Sequence, residues 1–159
     1  MNFIVRVATP ADYAGLGQVF EETDELHRHA LPHVFRKPEQ PAWRETFFAK
    51  IMRDANAALL VAEKEGDIIG FVHVFIGESP AIPIIIPRRH AVVENLAVVK
   101  RFRRFGIGTA LMERAQRWAK SQNATQVDLH VWEFNTGAIA FYQKLGYTMA
   151  SHRMWKSLK

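Results

Sequence analysis

Residues 92–111, "VVENLAVVKRFRRFGIGTAL", join a run of β-branched and aliphatic residues to four positive charges and then to two glycines. The first part is typical of a strand. The apolar residues after the glycines recur at helical spacing: Ile107, Leu111, Ala115 and Trp118. A strand that turns directly into a helix presents backbone N–H groups and the positive end of the helix dipole at one place. The stretch therefore predicts an anion-binding turn between a strand and a helix.

Within this turn, Arg103, Gly106 and Gly108 form the pattern R-x-x-G-x-G. Glycine suits both positions because a side chain would hold a phosphate away from the amides, and because such loops often need a positive φ. Two other phosphate loops are excluded by spacing. A dinucleotide fingerprint needs glycine where Leu111 stands, and the Gly-Lys-Ser/Thr of a P-loop does not occur.

Two other interpretations of the turn stay open. The pattern could be an ordinary helix start with a solvated basic flank. The segment "KRFRRF" could instead bind nucleic acid, since aromatic rings alternate with cations. No second basic stripe supports that alternative, so nucleic acid is an unlikely partner.

Composition limits the class of protein. The chain has 159 residues, so we expect one domain spanning residues 1–159. It is 48% apolar and 23% charged, which is globular, and no run approaches the roughly 20 apolar residues of a membrane span. The first residues do not resemble a secretion signal and the chain has no cysteine, so we expect a cytoplasmic protein. Its formal charge of +5 favours anionic ligands.

Strand and helix signals alternate along the rest of the chain. Thr9 followed by Pro10 predicts a helix start. The pattern predicts strands at 3–7, 89–99 and 125–132, a hairpin over 57–76, and helices from Pro10, from Trp43 to Ala55, after Gly106, and from Asn135 to before Gly146. Three prolines in residues 79–89 exclude a central strand there. That segment is either a loop over the site or a subunit contact, which would make a homodimer.

The helix "NTGAIAFYQKLGY", residues 135–147, places Asn135, Ala138 and Tyr142 on one face. With R-x-x-G-x-G upstream, residues 92–149 strongly resemble the GNAT superfamily of acyl-CoA-dependent N-acetyltransferases. The signature of that family is a strand, R-x-x-G-x-G and a helix, then a strand and a helix of the form N-x-x-A-x-x-F-Y-x-x-L-G-F. The chain departs from it at Arg104 and Phe105, where glycine and a basic residue are common, and at Tyr147, which replaces phenylalanine.

The resemblance implies a fold and an activity. The fold would be α/β (α+β), with a mixed, mostly antiparallel sheet of six or seven strands flanked by about four helices. The activity would be transfer of an acetyl group from acetyl-CoA to the primary amine of a small molecule or peptide, by direct attack in a ternary complex and without a metal. A catalytically silent acyl-CoA-binding module and a basic nucleic-acid-binding domain are the alternatives.

The resemblance also implies roles for residues. The strand before the turn would be bulged and splayed from the next strand, and the backbone of Leu96, Ala97 and Val98 would pair with the pantetheine arm. The pyrophosphate would lie on the turn, formed by Arg103, Arg104, Phe105, Gly106, Ile107, Gly108 and Thr109. Asn135 and Ala138 would line the arm. Tyr142 would donate a proton to the departing thiolate.

Glu94 is the candidate general base. Without a bulge it shares a strand face with Val92, Leu96 and Val98, so its carboxyl would lie among apolar groups and its pKa would rise. A buried salt-bridge partner is the alternative role for Glu94.

Several other residues have expected places. His27, His29 and His33 lack the spacing of metal ligands, and we assign their segment to the acceptor side. Trp132 and residues 149–155 are expected to pack against the core.

Overall fold

The computed structural model describes residues 1–40 and 42–159, and its elements alternate much as predicted. The strands are β1 (Ile4–Val7), β2 (Ala57–Lys64), β3 (Asp67–Glu78), β4 (Arg89–Val98) and β5 (Gln126–Leu129). The helices are α1 (Tyr13–Ala30), α2 (Trp43–Arg53), α3 (Ile107–Ser121) and α4 (Thr136–Lys144), with short 3₁₀ turns at Pro10–Asp12 and Lys100–Phe102. None of the helices in the described part of the chain is long and apolar enough to cross a membrane.

The five strands form one sheet in the order β1-β2-β3-β4-β5. Neighbours from β1 to β4 are antiparallel, whereas β5 runs parallel to β4. The predicted mixed, mostly antiparallel sheet with four helices is confirmed. The predicted number of six or seven strands is too high for the residues described, because residues 148–159 pair with no strand and are all exposed.

Helices cover both faces of the sheet. On one face, α1 and α2 bury Leu16, Phe20 and Phe48 against Phe71 of β3 and Ala97 of β4. The opposite face carries α3, whose buried residues Ile107, Leu111, Met112 and Ala115 pack on β2, β3 and β4. The β4 strand thus has a helix layer on each side, and the turn that follows it leads into α3.

Two expectations about the last third of the chain are wrong. The strand predicted over 125–132 ends at Leu129, since residues 130–132 leave the sheet. Residues 149–155 do not pack as core: Met149, Met154 and Trp155 are 57%, 91% and 62% exposed.

Candidate functional site

The β4 and β5 strands pair only along the first half of β4 and then separate. Their parallel ladder runs from His90 paired with Gln126 to Val93 paired with Leu129, and β5 ends there. The second half of β4 continues to Val98 with β3 on one side only. The backbone of Leu96, Ala97 and Val98 therefore borders an opening, where another extended chain can add as a strand.

A β-bulge lies at the point of separation. Asn95 pairs with His73 while Val93 pairs with Val74, so Glu94 between them has no partner on β3. The extra residue reverses the alternation of side chains along β4. Val93 and Leu96 pack on the α3 side, and Ala97 packs on the α1 side.

The expected environment of Glu94 is therefore wrong. The prediction assumed an unbroken strand, in which Glu94 shares the apolar face of Val92, Leu96 and Val98. With the bulge, Glu94 is solvent-exposed. It lies at the mouth of the opening between β4 and β5 and is not buried in an apolar environment.

The turn after β4 has the geometry of an anion site. Gly106 is the N-cap of α3 at φ 81°, in the left-handed region that favours glycine. The N–H of Ala110 donates to Gly106 O at 3.0 Å, so the amides of Ile107, Gly108 and Thr109 precede the first helical hydrogen bond. These amides and the helix dipole favour an anion.

Basic side chains surround this turn. Lys100, Arg101, Arg103 and Arg104 are all exposed. Arg103 Nε donates to Val98 O at 2.9 Å, which ties the turn to the end of β4. Arg104 has a φ of 67°, again in the left-handed region, which accounts for the glycine common at this position in the resembled family.

Gly108 has a packing role that the sequence did not reveal. A Cβ at this position would lie 3.2 Å from the ring of Phe141 on α4. The glycine therefore lets α4 approach the first turn of α3. We expected Gly108 only to clear space for a phosphate, so its substitution would also disturb α4.

Helix α4 packs against the first turn of α3 and the core on that side of the sheet. Asn135 is its N-cap, and the side-chain oxygen accepts a hydrogen bond from the Ala138 N–H at 3.2 Å. Asn135, Ala138 and Tyr142 are half-buried, whereas Thr136 and Gly137 are exposed. The shared face predicted for these three residues is thus turned toward the protein.

Tyr142 lies in an apolar environment. Its ring is 5.2 Å from that of Phe141 and 5.8 Å from that of Tyr147, measured between centroids. Burial raises the pKa of Tyr142 to about 12, with a smaller contribution from Tyr147. The hydroxyl therefore keeps its proton at every physiological pH and is available as a hydrogen-bond donor.

An aromatic cluster, which the sequence did not predict, borders the end of β5. It joins the C-terminal part of α1 to the β5–α4 connection through ring contacts: His27 with Phe35 at 5.2 Å, His27 with Phe134 at 5.6 Å, Phe35 with Trp132 at 5.5 Å, and His130 with Trp132 at 5.4 Å. His130 is exposed and directly follows β5, so it is a second titratable group near the opening. The sequence-based prediction placed His130 inside the strand over 125–132, so no signal marked it out.

Helices α1 and α2 are joined beside this cluster by an ion pair. Arg44 Nη2 lies 2.7 Å from both Glu21 Oε2 and Asp24 Oδ2. The hydrogen bond from Arg44, supported by one from Arg28, lowers the pKa of Glu21. A cavity of about 520 Å³ adjoins the pair and is lined in part by Phe35 and Trp43.

The larger cavity, about 780 Å³, does not coincide with the anion site. It lies between α1 and the turn at Lys100–Phe102, and its lining includes the carboxyl-bearing residues Asp12, Glu22 and Asp67. Lys100 and Arg101 also line this cavity, so its charge is mixed, and none of the helix-start amides of residues 107–109 borders it. We therefore place the anion site at the first turn of α3.

Three comparisons with known proteins agree with this geometry. Residues 20–147 match the model of the "Acetyltransferase (GNAT) family". An N-alpha-acetyltransferase of Sulfurisphaera tokodaii is 34% identical over 128 residues, which cover 77% of this chain and 71% of that protein. Another N-alpha-acetyltransferase, from Sulfolobus acidocaldarius, is 28% identical over 152 residues, covering 92% and 80%. A crystal structure of a mutant BH1408 protein from Bacillus halodurans superposes with a TM-score of 0.92 at 25% identity, covering 98% and 99%.

Proposed function

The chain belongs to the acetyltransferase (GNAT) family, and we propose that it transfers an acetyl group from acetyl-CoA to a primary amine by direct attack in a ternary complex. The observation that carries this proposal is the free half of β4 leading into the anion-binding turn. An extended arm that ends in a pyrophosphate fits that combination.

The residues of the site suit acetyl-CoA. The backbone of Leu96, Ala97 and Val98 would pair with the amide-containing pantetheine arm. The amides of residues 107–109 and the exposed basic side chains of the turn would hold the pyrophosphate, with Phe105, 57% exposed, beside it. Asn135 and Ala138 on α4 would form the opposite wall.

We assign the proton donor to Tyr142. As the C–S bond breaks, the departing sulfur gains negative charge and needs a proton. The raised pKa of Tyr142, about 12, keeps its hydroxyl protonated until that moment. A backbone N–H beside the bulge would donate to the carbonyl oxygen of the acetyl group as negative charge develops on it.

The exposure of Glu94 bears on the choice of acceptor. A lysine-like amine has a pKa of ~10.4, so about one part in a thousand is neutral at pH 7.4. Reaching the neutral, nucleophilic form therefore adds about 4 kcal/mol to the barrier. An α-amine, pKa ~7.9, costs less than about 1 kcal/mol by the same arithmetic. The candidate proton acceptors Glu94 and His130 are both solvent-exposed, and an α-amine requires less help from a base than a lysine does.

We therefore propose the α-amine of a peptide as the acceptor. Both relatives described above are named N-alpha-acetyltransferase, which supports this choice. The amine would approach from the α1 side, over the aromatic cluster at the end of β5.

The test measures thiol release from acetyl-CoA with two matched peptides. One has a free α-amine and no lysine, and the other has a blocked N-terminus and one lysine. We expect release with the first peptide at a kcat/KM at least tenfold above the second. Equal rates would overturn the acceptor assignment, and binding of acetyl-CoA without release for any amine would indicate a silent binding module.

A pair of substitutions tests the anion site separately. Thr109→Glu places a negative charge in the first turn of α3, which favours the helix itself but repels a pyrophosphate. We expect calorimetry to show that the variant binds acetyl-CoA about tenfold more weakly than the wild type, or weaker still. Its melting temperature should be unchanged. Thr109→Gln, of similar size and no charge, should bind within about threefold of the wild type. Equal affinities for the two variants would refute the site.

A further inference from the structure

The segment that joins β4 to α3, residues 100–106, is tied to helix α1 by a hydrogen bond between residues far apart in the sequence. The N–H of Lys100 donates to Glu22 Oε2 at 2.9 Å. Lys100 is the first residue of the short 3₁₀ turn, and the first N–H groups of a helical turn have no acceptor within the turn itself. The Glu22 carboxylate therefore supplies, from another element, the acceptor that this N–H lacks.

A cavity separates the rest of the segment from α1. The cavity of about 780 Å³ is lined on one side by Gly15, Gln18 and Glu22, which share a face of α1, and on the other side by residues 99–102. Gly15 fixes α1 close to the sheet, because a Cβ at this position would lie 2.8 Å from Ile68 Cγ1. Glu22, two helical turns later, spans the gap between α1 and the segment.

The other backbone hydrogen bonds of the segment are local. The N–H of Phe102 donates to Val99 O at 2.8 Å, and the N–H of Arg103 donates to Lys100 O at 3.2 Å. Within the described residues, the bond to Glu22 is the one that joins the backbone of this segment to a part of the fold distant in sequence. The position of the segment over the cavity thus depends on Glu22.

The charge of Glu22 opposes the binding of an anion nearby. The segment carries four exposed basic residues beside the helix-start amides: Lys100, Arg101, Arg103 and Arg104. A carboxylate next to such a site repels a pyrophosphate and weakens its binding. A favourable effect of Glu22 on the anion site would therefore have to come from its hydrogen bond, and its charge would act in the opposite direction.

We propose that Glu22 is a positioning residue for acetyl-CoA, an inference that rests on the proposed function. By holding the Lys100 N–H, Glu22 fixes the segment whose arginines and following amides receive the pyrophosphate. Without this bond the segment is free to move over the cavity, and binding must then order it, which lowers the affinity. Glu22 acts through the segment and takes no part in the transfer of the acetyl group.

The first experiment compares three variants by calorimetry with acetyl-CoA. Glu22→Ala removes the acceptor and should bind about three- to tenfold more weakly than the wild type, the range expected for one hydrogen bond. Glu22→Gln keeps an acceptor oxygen without the charge and should bind within about twofold of the wild type. Glu25→Ala removes an exposed carboxylate from the same helix and should bind at least as tightly as the wild type. If Glu22→Ala binds as tightly as Glu22→Gln, the positioning role is wrong.

The second experiment uses a donor that lacks the pyrophosphate. S-acetylpantetheine has the thioester and the arm, so its reaction with an α-amine peptide does not use the anion site. We expect Glu22→Ala to lower kcat/KM for acetyl-CoA about three- to tenfold and to change that for S-acetylpantetheine by less than about twofold. An equal loss with both donors would mean that the substitution disturbs the whole site, and it would overturn the proposal.

The wild type separates this inference from the proposed function. A wild-type protein that binds no acetyl-CoA would overturn the proposed function, and the role of Glu22 with it. A wild type that binds and uses acetyl-CoA, with Glu22→Ala indistinguishable from it, would overturn only the role of Glu22.

Discussion

His73 should make the protein lose stability as the pH falls toward 4. This histidine lies on β3, is only 7% exposed, and faces the α2 side between the rings of Phe47 and Phe75. Its Nδ1 is buried without a hydrogen-bond partner. Burial lowers the pKa of His73 from 6.5 to about 4, although the charge of Asp54 opposes the shift.

The lowered pKa sets both the sign and the size of the effect. Above pH 6.5 the imidazole is neutral in the folded and unfolded chains, so its contribution to stability is complete. As the pH falls toward 4, only the unfolded chain takes up the proton, and the folded state is disfavoured. The difference between 6.5 and about 4 corresponds to about 3 kcal/mol at full titration, of which roughly 2.5 kcal/mol is lost between pH 7.5 and 4.5.

The assay is urea unfolding at pH 7.5 and 4.5 for the wild type and His73→Phe. Phenylalanine keeps a ring between Phe47 and Phe75 and cannot titrate, so the variant should lose about 2.5 kcal/mol less than the wild type over this interval. Carboxylates with lowered pKa values, such as Asp12 and Glu21, titrate below this window in the folded chain and are common to both proteins. Equal losses for the two proteins would refute the assignment. An imidazole that titrates near 6.5 by NMR would do the same.

Three further outcomes concern the site. Tyr142→Phe should lower kcat roughly 10- to 100-fold in thiol-release assays, with little change in the KM for acetyl-CoA. In the wild type, the fall in kcat at alkaline pH should lie above pH 10, because the pKa of Tyr142 is about 12. Glu94→Gln should cost less than about tenfold in kcat/KM for an α-amine peptide, since the carboxylate is exposed; a larger loss would restore it as the principal base. Gly106→Ala should destabilise the fold by about 1–2 kcal/mol in urea unfolding, because φ is 81° while nothing lies within 4 Å of the added Cβ.

The elements were predictable where a local pattern decides them. Pro10 begins a 3₁₀ turn as its restricted backbone predicts, and Asn135 begins α4 with its side chain capping the Ala138 N–H. The left-handed φ of Gly106 follows from the same local reasoning. Long-range contacts were not predictable in this way. The approach of Phe141 to Gly108 and the aromatic cluster at the end of β5 join residues far apart in the sequence, and no periodicity signals either.

The bulge at Glu94 shows how one local irregularity changes a functional inference. Strand alternation has a period of two, so one extra residue moves every later side chain to the other face. Counting back from Leu96 and Val98 therefore placed Glu94 among apolar residues, whereas the ladder from His73 to Val74 leaves it outside the pairing. The same bulge lies where β5 leaves β4, so the irregularity that exposes Glu94 also coincides with the opening of the backbone at Leu96. A desolvated base and an open strand edge are thus competing uses of this position, and the structure has the open edge. An acceptor such as an α-amine, of which about a quarter is already neutral at pH 7.4, is the consistent partner for such a site.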